Sequence, residues 1–204
     1  MKLLLCSLTI VFCVTAQVSQ ATLIGTELSL ETVFQATSTS PVNTIGFLTT
    51  ATVREPGVEF PSLSATQVNN PPFGLVLVNV AINAGSNFIE IDFDNSAPFT
   101  GFASAFRNSY LFTFDHVATP SIQGAFIDRG VTSLGLSDSD LSFSGNKLEV
   151  NVESLPFNSS SFARINLTVA GGPTTAVPEP SSLLLLSSAL IGLGIWKQRN
   201  AGKI

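Results

Sequence analysis

The chain has 204 residues with 14 acids, 9 Lys or Arg, one histidine and a formal net charge of −5 at pH 7. Its two cysteines, Cys6 and Cys13, both lie near the start, so the rest has no disulfide framework, thiol nucleophile or thiolate metal site. Between residues 22 and 170, 5 bases stand singly among 13 acids, an acidic balance that repels phosphate-rich partners and excludes a nucleic-acid patch.

The opening stretch "MKLLLCSLTIVFCVTAQVSQA" has the three parts of a secretory signal. Lys2 gives the positive start, Leu3 to Val14 the apolar centre, and Ser19 and Ala21 the small residues that signal peptidase requires. As a helix that centre rises about 18 Å, against a hydrocarbon core of about 30 Å, so it is too short to span comfortably. Residues 1–21 are therefore expected to direct export through the Sec translocon and to be cut after Ala21, with Ala16 as the fallback.

Residues 22–170 read as one all-β domain. They are rich in Ser, Thr, Asn, Val and Phe and contain no run of helix formers. Gly74 to Val80, "GLVLVNV", is nearly continuously apolar and suits a strand buried on both faces. Ile89, Ile91 and Phe93 alternate with Glu90, Asp92 and Asp94; Tyr110, Phe112 and Phe114 alternate with Leu111, Thr113 and Asp115. Leu148, Val150 and Val152 form a third alternating set, and Ala163, Ile165, Leu167 and Val169 a fourth. Gly145-Asn146 fits a two-residue hairpin turn, while the segments around Pro71-Pro72, Pro98 and Pro156 mark longer loops. Eight to ten short strands at this spacing imply an antiparallel two-sheet β-sandwich, of jelly-roll or immunoglobulin-like topology.

Candidate sites in this domain are sparse. Asp92, Asp94 and Asn95 in "DFDN" and Asp138 and Asp140 in "SDSD" offer hard oxygen ligands on turns, the chemistry that calcium (Ca2+) takes. Neither has the complete spacing of a calcium loop, and acids on an outward strand face are routine. His116 lacks a Gly-x-Ser-x-Gly partner and fits a loop better than a catalytic base. Phe99, Phe102, Phe106, Phe112, Phe114 and Phe126 suit core packing better than a sugar platform, which favours Trp and Tyr. No catalytic set is expected.

Residues 171–177 form a Gly/Pro/Thr linker, and residues 178–204 make up the tail. Pro178 and Pro180 keep Val177 to Pro180 extended. The uncharged stretch that follows would rise about 24 Å as a helix, close to a membrane's core, with Leu183 and Trp196 at the ends of its apolar segment. Lys197, Arg199 and Lys203 lie beyond it, and the excess of bases places this tip in the cytoplasm once the body is exported.

The order Val177-Pro178-Glu179-Pro180, short Leu/Gly-rich helix and basic end resembles the PEP-CTERM sorting signal. The resemblance implies an exosortase substrate of a Gram-negative, exopolysaccharide-producing bacterium, held transiently in the inner membrane and cut at or near the Pro-Glu-Pro. The spaced bases depart from the tight arginine cluster of many such tails. Ser86 to Val169 is also similar to a β-rich body common among these proteins, which implies the sandwich and no chemistry. The expected role is a non-enzymatic protein of the cell surface, extracellular matrix or biofilm, associated with exopolysaccharide. The alternative is a secreted carbohydrate-binding module or glycan-active hydrolase with the same address.

Overall fold

The structure is a computed structural model and describes residues 21–63, 76–116 and 119–171. Among these run nine strands: β1 Glu27–Gln35, β2 Asn43–Thr52, β3 Ala81–Ala84, β4 Phe88–Asp92, β5 Arg107–Asp115, β6 Ser121–Ile127, β7 Leu141–Ser144, β8 Lys147–Asn151 and β9 Phe162–Ala170. They pair antiparallel throughout, as a five-stranded sheet β2-β1-β5-β8-β7 and a four-stranded sheet β3-β4-β9-β6. The expected all-β, two-sheet architecture is therefore present. Neither sheet repeats the immunoglobulin order, in which the first, second, fifth and fourth strands lie side by side. No helix among the described residues is long and apolar enough to cross a membrane.

The period-2 pattern of the sequence explains which face each strand buries. Ile89, Ile91 and Phe93 are fully buried, as are Phe112, Phe114, Leu148, Val150, Ala163 and Ile165. These are the inward members of the four alternating sets, and they meet in one core. The partners at the intervening positions, such as Glu90, Thr113, Glu149 and Arg164, are only half-buried. At one end of the core an aromatic cluster closes the sandwich. Phe93 lies 5.1 Å from Phe157 and 6.0 Å from Phe102 between ring centroids, and Phe102 meets Tyr110 edge-on at 6.2 Å.

Gly145 and Asn146 make the expected two-residue turn, pairing Ser144 with Lys147. Gly145 takes φ of 60° and Asn146 does not share it, which is the glycine-first turn whose twist suits a hairpin. The turn also ties the two sheets together, since Ile122 of β6 donates its N–H to the Gly145 carbonyl at 2.7 Å.

Two expectations are corrected. The apolar run ending at Val80 is not a strand over its described part, and β3 begins only at Ala81. Leu77 and Val78 are both buried although adjacent, so the segment packs consecutive side chains into the core where a ladder would send them to opposite faces. A continuous apolar run records burial and leaves the backbone state open. The second correction concerns phenylalanine. Phe112 and Phe114 are buried and Phe102 packs on the core, but Phe99, Phe106 and Phe126 are 38%, 56% and 52% exposed.

Candidate functional site

Of the acids singled out for calcium, the Asp92, Asp138 and Asp140 carboxylates accept local hydrogen bonds, and Asp94 takes part through its backbone N–H. Asp92 ends β4, and its Oδ1 accepts the backbone N–H of Asp94 at 3.0 Å, which turns the chain out of the strand. Asn95 donates from Nδ2 to the Pro61 carbonyl at 3.3 Å. Asp138 and Asp140 form a short helical turn. Asp140 accepts from the Ser137 N–H and hydroxyl at 2.7 and 2.8 Å, while Asp138 accepts from Arg129 at 2.9 Å. Among the described residues no three or more His, Cys, Asp or Glu side chains gather where a metal ion could sit. Calcium takes six to eight oxygens; the two acidic turns are not brought together to supply them.

His116 follows β5, and its carbonyl accepts from the Thr119 hydroxyl at 2.9 Å. Glu90 lies on the outer face of the four-stranded sheet, where it accepts from Asn83 at 2.7 Å and Arg164 at 3.0 Å across successive strands. The Arg164 guanidinium also sits 3.9 Å from the centroid of the Phe88 ring. Cross-strand register alone assembles this group, as outward residues on neighbouring strands face one another.

A further group of side chains covers the outer face of the five-stranded sheet. One row across it runs Glu31, Leu111, Glu149 and Ser142, and the next runs Ser29, Thr113, Lys147 and Ser144. At the centre Arg107 grips Glu149 through both guanidinium edges, Nε to Oε1 and Nη2 to Oε2, the latter at 2.7 Å. Each side chain keeps about a quarter of its surface exposed, 25% and 23%. A groove of about 490 Å³ runs over this face, with Leu48 of β2 at one edge and Ser142 and Ser144 of β7 at the other. Beyond Arg107 a second hollow of about 360 Å³ continues past Phe106, Asp140 and Asn151.

Local sequence accounts for the rims. The β1–β2 pairing slips twice between Leu30 and Val33, so β2 carries extra residues there, and Leu48 sits in this irregular part. Phe143 pairs with the buried Leu148 and so lies on the core side of the sheet, yet on the four-residue edge strand β7 it keeps 43% of its surface exposed. Sequence reasoning missed this face. Its one available signal was the hairpin in "LSFSGNKLEV", which sets Ser142 and Ser144 beside Glu149 and Lys147 on the face opposite the buried Leu148 and Val150.

A smaller cavity of about 200 Å³ opens between Ile45, Leu77, Phe102 and Tyr110. Burial pushes the Tyr110 phenol well above the ordinary tyrosine range, so it stays protonated through the physiological span.

At the start of the body, the Leu23 N–H and the Thr22 hydroxyl both donate to the Ser86 carbonyl, at 2.8 and 3.3 Å. The rest of the signal segment lies outside the described residues, as do Val177, Pro178, Glu179, Pro180, Leu183, Trp196, Lys197, Arg199 and Lys203. Residues 176–199 match the family described as the PEP-CTERM protein-sorting motif, a span that takes in every one of these tail residues except Lys203. No curated protein and no solved structure matches the chain. The chain thus carries a C-terminal PEP-CTERM sorting signal, which implies a terminal membrane anchor and marks an exported protein that exosortase processes on its way to the cell surface.

Proposed function

We propose that the sandwich is a non-enzymatic building element of the cell envelope or extracellular matrix, delivered by exosortase and associated with exopolysaccharide in a Gram-negative biofilm. The sorting motif at residues 176–199 carries this reading. It is supported by the body's acids, which serve as strand-to-strand and turn partners such as Glu90 to Arg164 and Asp140 to Ser137. In this scheme Pro178, Glu179 and Pro180 are what the processing enzyme recognises, Leu183 to Trp196 hold the chain in the bilayer, and Lys197, Arg199 and Lys203 set its orientation.

The test is the intact mass of native protein together with a Glu179→Gln variant in cells with a working exosortase. Wild-type material should lack the residues after the motif. The variant should be exported yet stay uncut and membrane-held. Native protein that still runs through Ile204, or a Glu179→Gln chain processed at the normal rate, would refute the proposal.

A further inference from the structure

We propose that the cavity of about 200 Å³ between Ile45, Leu77, Phe102 and Tyr110 binds a small, neutral, mostly apolar molecule that carries one hydrogen-bond acceptor. This goes beyond the sorting and matrix reading and does not rest on it.

The space follows from the pairing register. On the core side of the five-stranded sheet one row runs Val150, Tyr110, Thr32 and Gly46. Side chains shrink along that row toward β2, until Gly46 contributes none. Leu77 packs over the gap, since a Cβ added at Gly46 would lie 3.6 Å from its methyl groups. The opposite wall comes from the segment between β4 and β5, with Phe102 edge-on to Tyr110 at 6.2 Å. Val76 and Phe99 are the large apolar members of the lining that stay exposed, at 48% and 38%, and they mark the way in.

Three features of the lining define the occupant. The first is charge. No charged side chain lines the cavity among the described residues, so an ion would lose its hydration there and gain no partner.

The second is one open polar group. Tyr110 is 2% exposed, and its hydroxyl makes no hydrogen bond within the described residues. Among those residues only Ser96 has a sealed side-chain oxygen without a partner, so the Tyr110 hydroxyl opens onto the cavity that its side chain lines. Burial keeps the phenol protonated, and it therefore meets an occupant as a donor. Its polar neighbours are engaged within the chain: Thr32 accepts the Gly46 N–H at 2.9 Å, and Asn108 donates to the Ala103 carbonyl at 3.4 Å.

The third is size. An apolar cavity of about 150 Å³ takes up benzene. This one has room for such a ring with a short polar substituent.

The test is equilibrium dialysis of the full chain in a polyoxyethylene detergent against protein-free micelles of the same detergent, so that uptake by micelles cancels. The probes are acetophenone, ethylbenzene and benzoate, which share a ring and differ in acceptor and charge. Acetophenone should accumulate saturably on the protein side, and benzoate should not. Tyr110 is the only tyrosine, so isotopic labelling of tyrosine gives magnetic resonance signals from this ring alone, and acetophenone should shift them. Tyr110→Phe, with an unchanged circular dichroism spectrum, should weaken acetophenone binding at least about fivefold, the worth of one hydrogen bond, and leave ethylbenzene within about twofold. Ile45→Phe, which fills the space, should abolish the binding of both. No accumulation of acetophenone, which would leave the cavity to water alone, would overturn the proposal. So would equal uptake of benzoate, an unmoved Tyr110 signal, or acetophenone binding that Tyr110→Phe leaves unchanged. Should Ile45→Phe not fold, the Tyr110→Phe comparison decides alone.

Discussion

Phe93→Ala is the substitution that most directly probes what holds this domain together. The side chain is fully buried and joins Phe102 and Phe157 in the aromatic cluster at one end of the core. Removing a buried phenyl ring costs about 3–5 kcal/mol through lost transfer energy and the cavity left behind. A domain of this size has a total stability of about 5–15 kcal/mol, so about a fifth or more is at stake. No disulfide offsets the loss, because both cysteines precede the body. With a urea dependence of about 2 kcal/mol per molar, a loss of about 4 kcal/mol moves the unfolding midpoint by about 2 M. The assay is urea unfolding of the exported, processed protein followed by far-ultraviolet circular dichroism. Phe126→Ala, whose ring is half exposed, is the internal comparison and should shift stability by no more than about 0.5 kcal/mol. A Phe93→Ala midpoint within about 0.5 M of wild type, at unchanged slope, would refute the view that this cluster carries the end of the core.

Two further outcomes follow from particular side chains. Tyr110 is the only tyrosine, so absorbance near 295 nm reports its ionisation alone. Burial raises its folded pKa above the unfolded value of about 10. Its contribution to stability is therefore complete below about pH 10 and is lost as pH rises past that point, because the unfolded chain then releases a proton that the folded chain keeps. The phenol should titrate only together with unfolding, and ordinary titration in the folded protein would contradict the placement. At Gly46 an added Cβ would sit 2.7 Å from the Thr32 hydroxyl oxygen, which accepts the Gly46 N–H at 2.9 Å. Gly46→Ala should cost about 1–3 kcal/mol in the same urea assay, and a neutral result would show that this pairing relaxes freely.

The sorting tail was legible because its parts are local: a proline-bracketed acid, an apolar run and a basic tip need no tertiary information. The same holds for the inward sets of β4, β5, β8 and β9, where strict alternation names the buried face, and for the Gly145-Asn146 turn. What escaped the sequence is what pairing decides. Arg107 and Glu149 are 42 residues apart, and Glu90 and Arg164 are 74 apart. They meet only because β5 lies beside β8 and β4 beside β9. Strands β1, β2 and β6 have weaker alternation, broken by pairing slips at Thr32 and near Gly124, and drew no signal. Phenylalanine misled for a related reason. Average burial favours the core, yet Phe126 occupies a position that the register turns outward, and Phe106, just before β5, is 56% exposed.

The placement of β9 has a consequence for biogenesis. It is the final strand of the body, yet it sits between β4 and β6, while the β3–β4 hairpin and β6 have no other link within their sheet. A polypeptide threading outward from its amino end therefore delivers its keystone last, just before the stretch that halts at the lipid. Until that moment half of the sandwich has nothing to zip against, and a stalled or shortened chain exposes raw edges to proteases. Maturation of the shape thus certifies that the whole domain has crossed.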